Sequence, residues 1–214
     1  VYVVKVLIET QYMPSVAYFT LLCHAEEVFI EVNENFEKQT YRNRCEILTS
    51  HGTQRLTVPV HSANSKIPIR NMQIDHRQKW INNHWRAIQS AYGKAPFFEY
   101  YSTYFENELK KEKKHLIELN QSLLTLCLRL LQLNVSIEFT KKFELTPAKG
   151  ILDARSAVHP KKPLESMTWF QPKEYYQMFG KNFVPNLSIL DLLFCVGPDA
   201  LMVLKQSGVF LKNK

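Results

Sequence analysis

Residues 1–32 read VYVVKVLIETQYMPSVAYFTLLCHAEEVFIEV, and the order of apolar and breaking residues within them decides the fold. Residues 1–8 are an almost unbroken apolar, β-branched run, the pattern of a strand buried on both faces as in a parallel sheet. Residues 9–14 (ETQYMP) interrupt it. Residues 15–24 then carry Val16, Phe19, Leu22 and Cys23 at helical spacing, with Pro14 near the start. Residues 28–32 return to a strand. Strand, loop, helix and strand within about thirty residues have the size of a βαβ unit. The chain is therefore read as an α/β protein with a Rossmann-like, mostly parallel sheet and a helical C-terminal part.

Further along, residues 33–43 (NENFEKQTYRN) read as a long polar loop. Residues 45–49 and 55–60 read as paired strands about a Ser50-His51-Gly52 turn. Residues 67–69 and 72–75 are expected as short edge strands. The clearest helix spans residues 79–92, where Trp80, Ile81, His84, Trp85, Ile88, Ala91 and Tyr92 form one stripe and Gly93 ends it at the C′ position. Helices over 97–109 and 113–133, a strand at 135–139, and two short helices at 187–195 and 198–205 around Gly197 complete the pattern. Residues 154–171 show no clean period and read as a flap or linker. One domain over 1–214 is expected, with the sheet mainly in 1–78 and helices mainly in 79–214.

The chain has 214 residues, 45% hydrophobic and 22% charged, which excludes a disordered or fibrous protein. Cys23, Cys45, Cys127 and Cys195 are widely separated without metal-like spacing. They read as reduced thiols, and no metal site is expected. The longest apolar stretch, residues 123–135, contains Arg129 and Gln132 and is too short to cross a bilayer. Residues 1–8 lack the basic and small-residue features of an export signal, so a cytoplasmic location is expected, without membrane insertion.

Lys and Arg number 27 against 20 Asp and Glu, a net charge of +7. Residues 1–107 hold 11 basic and 10 acidic side chains and residues 108–214 hold 16 and 10, so the surplus lies in the second half. Such a field attracts anions. With no RNP-like motif, zinc-finger spacing or helix-turn-helix, nucleic acid is an unlikely partner, and an anionic small molecule is the favoured one. A protein partner stays open.

Ligands of open α/β sheets bind beyond the carboxyl ends of the strands. Gln11 and Tyr12 occupy the loop after the first strand, where each could hydrogen-bond a ligand. After the second strand come Asn35, Lys38, Arg42, Asn43 and Arg44, among which the guanidinium groups suit a phosphate or carboxylate. His84, on the apolar stripe of its helix, is a candidate general base, with a hydrogen-bonded core histidine as the alternative. Asp191, among apolar neighbours, is either catalytic or clamped to Arg42 or Arg155. Glu31, Glu34 and Glu37 fall three apart in a presumed loop, a spacing that does not by itself make an acid–base pair. No P-loop, GxGxxG or GxSxG motif is present, so the cofactor is unknown.

Several segments together resemble the WbqC-like family: QYMPSVAYF (11–19), YRNR (41–44), LTVPV (56–60), WINNHW (80–85), YGKAPFF (92–98) and PNLSILDLLFCVG (185–197). The resemblance runs in order through nearly the whole chain. It implies a transferase of bacterial surface-polysaccharide (O-antigen type) biosynthesis, with aminoacyl (glycine) transfer to a nucleotide-linked amino sugar as the specific expectation. Many members carry His immediately before the Gln-x-x-Pro segment, where this chain has Thr10. On the enzyme reading, Gln11, Tyr12, Arg42 and Asn43 bind the anion, and His84 or Asp191 deprotonates the acceptor. The alternative is a non-enzymatic binding or scaffold protein of the same pathway.

Overall fold

The computed structural model describes residues 5–62 and 66–209; residues 1–4 of the expected first strand lie outside them. Strand β1 (Lys5–Glu9), helix α1 (Val16–Leu22) and strand β2 (Glu27–Glu31) form the βαβ unit, with β1 and β2 parallel and in register from Lys5↔Glu27 to Glu9↔Glu31. A separate antiparallel hairpin joins β3 (Arg44–Thr49) to β4 (Gly52–Thr57). Helices α2 (Trp80–Tyr92), α3 (Phe98–Lys110) and α4 (Leu116–Leu130) follow. Strands β5 (Ser136–Phe139) and β6 (Leu152–Asp153) then return to the first sheet, before α5 (Ile189–Val196) and α6 (Ala200–Gln206).

The sheet order is β5-β2-β1-β6 with every pairing parallel. Two of its four strands thus come from the second half of the chain. The chain leaves β1 toward β2 and β5 on one side and comes back to β6 on the other. The strand order therefore reverses between β1 and β6, and a crevice at such a switch point is where open α/β sheets place ligands.

Successive side chains of a strand point to opposite faces. Val6, Ile8, Val28 and Ile30 face one way and join one continuous core with α1 and the other helices. All seven residues of α1 are buried, because α5 and α6 pack over it. Its start is knitted to the start of α5: Val16 N–H donates to the Leu187 carbonyl (2.9 Å), Ile189 N–H to the Pro14 carbonyl (2.8 Å), and the Ser188 hydroxyl to the Met13 carbonyl (2.9 Å). Leu7 and Phe29 face the other way and stay outside that core cluster. Residues 140–151 cross over them on the way from β5 to β6.

The structure corrects the sequence reading in several places. Residues 67–69 and 72–75 form no strands; residues 69–71 make one 3₁₀ turn, with isolated bridges Asn35↔Pro68 and Val60↔Ile74 beside it. Pro68 has no N–H to extend a ladder. Strand β4 starts at Gly52, earlier than the expected residue 55, and the late part of that expected strand is reduced to the Val60 bridge. Strand β6 was missed, since two residues carry no alternation to read. Gly93 does cap α2, its N–H bonding the Gln89 carbonyl at 2.8 Å, but in the right-handed conformation with φ −58°.

Gly197, which ends α5, has φ +62°, and a Cβ there would overlap the Phe97 ring. Left-handed backbone and overpacking both act against a side chain at this position. Gly197→Ala is expected to lower the unfolding free energy by ~2–4 kcal/mol, measured by urea denaturation. Unchanged stability would show that the α5–Phe97 contact is not tight.

Candidate functional site at the carboxyl end of the parallel sheet

Strands β1 and β2 carry the same ending, VLIE (6–9) and VFIE (28–31), and parallel pairing sets the two glutamates side by side. They point to the face that bears Leu7 and Phe29. Glu9 is 1% exposed and Glu31 0%. Two like charges in adjacent buried positions repel and are held away from water, so such a pair persists only with compensating donors and cations.

Those partners come from four separate segments. Glu9 accepts from Gln11 Nε2 (2.8 Å) and from the Ser156 backbone N–H (2.8 Å). Glu31 Oε1 accepts from the Asn33 backbone N–H (2.7 Å) and the Thr140 hydroxyl (2.7 Å). Glu31 Oε2 accepts no hydrogen bond among the described residues and lies 3.5 Å from Arg155 Nη1. Arg155 binds Asp153 through two N–H groups (2.9 and 2.6 Å) and the carbonyls of Glu144 (2.8 Å) and Leu145 (3.0 Å), with its guanidinium over the Phe143 ring. It thereby pins residues 140–151 to the end of β6, and its hydrogen bonds hold the Asp153 carboxyl below its ordinary range.

Arg42 is 1% exposed and binds Glu34 bidentately, Nε to Oε1 and Nη2 to Oε2, both at 2.8 Å. Burial opposes its charge, but the hydrogen bonds to Glu34 and the fields of Glu9, Glu34 and Glu37 more than offset this and raise its pKa. Beyond this carboxylate-rich floor, residues 154–162 form a basic rim. His159 is lowered by burial and by the nearby charges of Lys162, Arg42 and Lys161, against the field of Glu37. Lys162 Nζ also binds the Ser156 carbonyl at 2.9 Å.

The residues singled out from sequence fall in several places. Gln11 joins the floor: its Nε2 also reaches the Val158 carbonyl (3.4 Å), and its buried Oε1 accepts no hydrogen bond among the described residues. Arg42 lies beside the floor with its guanidinium committed to Glu34. The loop around it is anchored by the buried Phe36 and Tyr41, while residues 35 and 37–39 face solvent. Asn43 is buried too and spends its Nδ2 on the Val58 carbonyl (2.8 Å). Asn35 and Lys38 are exposed on the same loop, and Arg44 sits half-buried at the start of β3, opposite Thr57.

Tyr12 is buried with its hydroxyl 2.9 Å from His84 Nδ1. Burial lowers the His84 pKa to about 4, against a backbone hydrogen bond with Thr57 that favours the charged form. The imidazole is therefore neutral near pH 7. Asp191 is fully buried and clamps neither arginine. Its Oδ1 accepts from the Tyr92 hydroxyl (3.0 Å), and its Oδ2 from the Tyr175 hydroxyl (2.8 Å) and Gln177 Nε2 (2.9 Å). Burial raises its pKa while these three donors lower it.

Sequence reasoning grouped Glu31 with Glu34 and Glu37 as loop carboxylates, although residues 28–32 read as a strand, and passed over Glu9, Ser156 and Arg155 as members of the site. A signal for the glutamates was present: two successive buried strands with the same Ile-Glu ending. None existed for Arg155, which reaches the site from far along the chain.

An α/β protein with a charged cluster at its switch point is the class that fold and site define. The sequence profile of the WbqC-like protein family matches residues 10–162 and 159–203. The chain belongs to that family. A protein of Mycobacterium tuberculosis (strain ATCC 25618 / H37Rv), named "Uncharacterized protein Rv1507c", is 30% identical over 219 residues, covering 91% of this chain and 94% of the relative. No solved structure matches. No helix among the described residues is long and apolar enough to cross a membrane.

Removing Arg42 leaves Glu34 half-buried without its partner, and a broken buried pair typically costs ~3–5 kcal/mol. Arg42→Ala is expected to lose about 3 kcal/mol of stability, and the double substitution with Glu34→Ala less. A double-variant loss equal to the sum of the Arg42→Ala and Glu34→Ala losses by urea denaturation would show that the pair is not coupled.

His84 gives a pH signature. Unfolded, it titrates near about 6.5; folded, its pKa is lowered to about 4. Below the unfolded value the unfolded chain binds a proton that the native state refuses, so stability falls between those two pKa values as pH drops. The full effect at pH 4 is ~3 kcal/mol. His84→Gln is expected to flatten that part of the stability–pH profile, and an unchanged slope would overturn the assignment.

Proposed function

We propose that this protein is a transferase of bacterial surface-polysaccharide (O-antigen type) biosynthesis that passes an aminoacyl group, such as glycyl, from an activated donor to the amine of a nucleotide-linked sugar. The observation that carries the reading is the in-register Glu9–Glu31 pair at the carboxyl end of the sheet, with a basic rim beside it. A substrate bearing both phosphates and an acceptor amine has that polarity. Its phosphates would lie against Lys161, Lys162 and Arg42's side of the crevice, and its amine over the carboxylates. Membership of the WbqC-like family supports the pathway.

In this mechanism the amine nitrogen forms the amide bond to the acyl carbon, and the bond from that carbon to the donor's carrier breaks with the carrier leaving on its electron pair. Glu31 takes the proton that the nitrogen loses and can return it to the departing carrier. Glu9, tied by Gln11 and Ser156, keeps the neighbouring charge in place. Arg155 offsets the negative charge on Glu31 before transfer and holds residues 140–151 against the site. Tyr12 and His84 bond each other, and Asp191 bonds Tyr92, Tyr175 and Gln177, so these residues hold the fold around the site and not the reacting groups.

One observation favours the second reading, a binding or scaffold protein without turnover. Arg42, His84 and Asp191 are hydrogen-bonded in three different clusters, each to groups of the protein itself.

A thermal-shift and turnover screen with nucleotides, nucleotide-linked amino sugars and amino acids separates the two. A ligand at about a hundred times its dissociation constant stabilises the fold by ~2.7 kcal/mol, and Lys161→Ala with Lys162→Ala is expected to remove most of that shift. Glu31→Gln is expected to retain nucleotide binding and lose ~10²–10⁴-fold in turnover, the usual contribution of a general base. Nucleotide-sugar binding without acyl transfer from any activated donor would decide for the scaffold.

A further inference from the structure

Helices α3 and α4 bury one side each, through Phe105 and Leu109 on α3 and Leu119 and Leu123 on α4. Toward solvent, α4 presents Gln121, Thr125 and Arg129 at intervals of four, and α3 presents Tyr104, Glu108 and Lys111 at intervals of four and three. Such spacings set each group in one row along its helix. Between the two rows lies a cleft of about 690 Å³ with the buried Leu126 among its walls. Residues 104 to 111 span ~10 Å along the helix axis, and the cleft is large enough for a ligand of several rings.

Its charges are settled at one end and open at the other. Glu108 binds Lys111 (2.8 Å) and faces Lys113 (3.8 Å), and Glu118 accepts from the His115 backbone N–H (3.1 Å). At the far end the Arg129 guanidinium lies over the Tyr104 ring, 5.5 Å from its centroid, with no carboxylate partner among the described residues. Between the ends, the Ser122 hydroxyl donates to the Leu119 carbonyl and the Thr125 hydroxyl to the Gln121 carbonyl, both at 2.9 Å. With their hydrogens spent on the helix, these two oxygens offer the cleft only lone pairs, as does the Glu108 carboxylate. The middle of the cleft therefore asks for donors, and its Arg129 end for an anion.

Few ligand classes bring both. A bare phosphate would leave the acceptors unmatched and lie near two glutamates. A cation would meet Arg129, Lys111 and Lys113. An apolar ligand would find little beyond Leu126 to bury against. A hydroxylated ring supplies several O–H donors, and a carboxylate on it matches the planar fork of a guanidinium.

We infer that the α3–α4 cleft binds an acidic saccharide about two rings long, with its carboxylate on Arg129 and its ring hydroxyls over Glu108, Ser122 and Thr125. This site shares no residue with the cluster around Glu9 and Glu31, and it stands whether or not that cluster catalyses acyl transfer.

The test is a heteronuclear NMR titration of the isotope-labelled full chain in the wild type, Arg129→Ala and Thr125→Val. Both positions are exposed, so neither substitution enters the core. The probes are glucuronosyl-N-acetylglucosamine, the neutral N-acetyllactosamine, acetate and uridine diphosphate. The acidic disaccharide is expected to shift amide signals of α3 and α4 and to bind about tenfold more tightly than the neutral one, the usual scale of one charge-assisted contact. Arg129→Ala is expected to erase that difference, and Thr125→Val to weaken both disaccharides alike. Absence of shifts in α3 and α4, acetate or uridine diphosphate binding there as tightly as the acidic disaccharide, or wild-type affinity in Arg129→Ala would each overturn the site.

Discussion

Two carboxylates held side by side at the ends of adjacent parallel strands are the constraint on which the rest of this structure depends. Register places Glu9 beside Glu31, and burial denies both the water that would screen them. Every segment near the carboxyl end of the sheet answers to that fact. Gln11 turns back on Glu9, Asn33 and Thr140 close on Glu31, and Ser156 offers its backbone N–H to Glu9. The two arginines come from either side, Arg42 through Glu34 and Arg155 through Asp153. The loops after β2, β5 and β6 therefore share polar contacts around one acidic centre, beside apolar anchors such as Phe36, Tyr41 and Val158.

The opposite face of the sheet has a different logic. There Val6, Ile8, Val28 and Ile30 join a continuous apolar core with a helix buried on every side. That asymmetry separates two tasks. The helical face carries most of the hydrophobic stabilisation, which grows with apolar area removed from water. The other face, under a crossover that is not a helix, is freed from close packing and keeps both a cavity and buried charge. Protein interiors seldom combine these without a function that uses them.

Charge tells the same story at two scales. The chain as a whole is basic, with Lys110, Lys111, Lys113 and Lys114 where α3 gives way to α4 and Lys161 and Lys162 beside the site. The floor is acidic. A long-range field that draws in anions and a short-range site that accepts an N–H donor are compatible, because the first acts through solvent over a Debye length and the second through direct contact. The net charge of a sequence describes only the first of these.

The βαβ start, the hairpin, the α2 stripe and most helix positions were legible in the sequence, because strand and helix periodicities are local properties of a chain. So was the family, through short motifs kept in order. The identity of the partners was not. Glu31 was grouped with the loop carboxylates although residues 28–32 read as a strand; Asp191 read as catalytic or as a partner for arginine because its donors, Tyr92, Tyr175 and Gln177, lie in segments whose approach no spacing predicts. His84 was visible as a histidine on an apolar face, but its neutrality follows from burial against Tyr12. Sequence by itself determined the elements and the apolar face of each. Only the tertiary structure decided which charges meet, since the energy of a buried charge depends on distance and desolvation, and both are set by residues far apart along the chain.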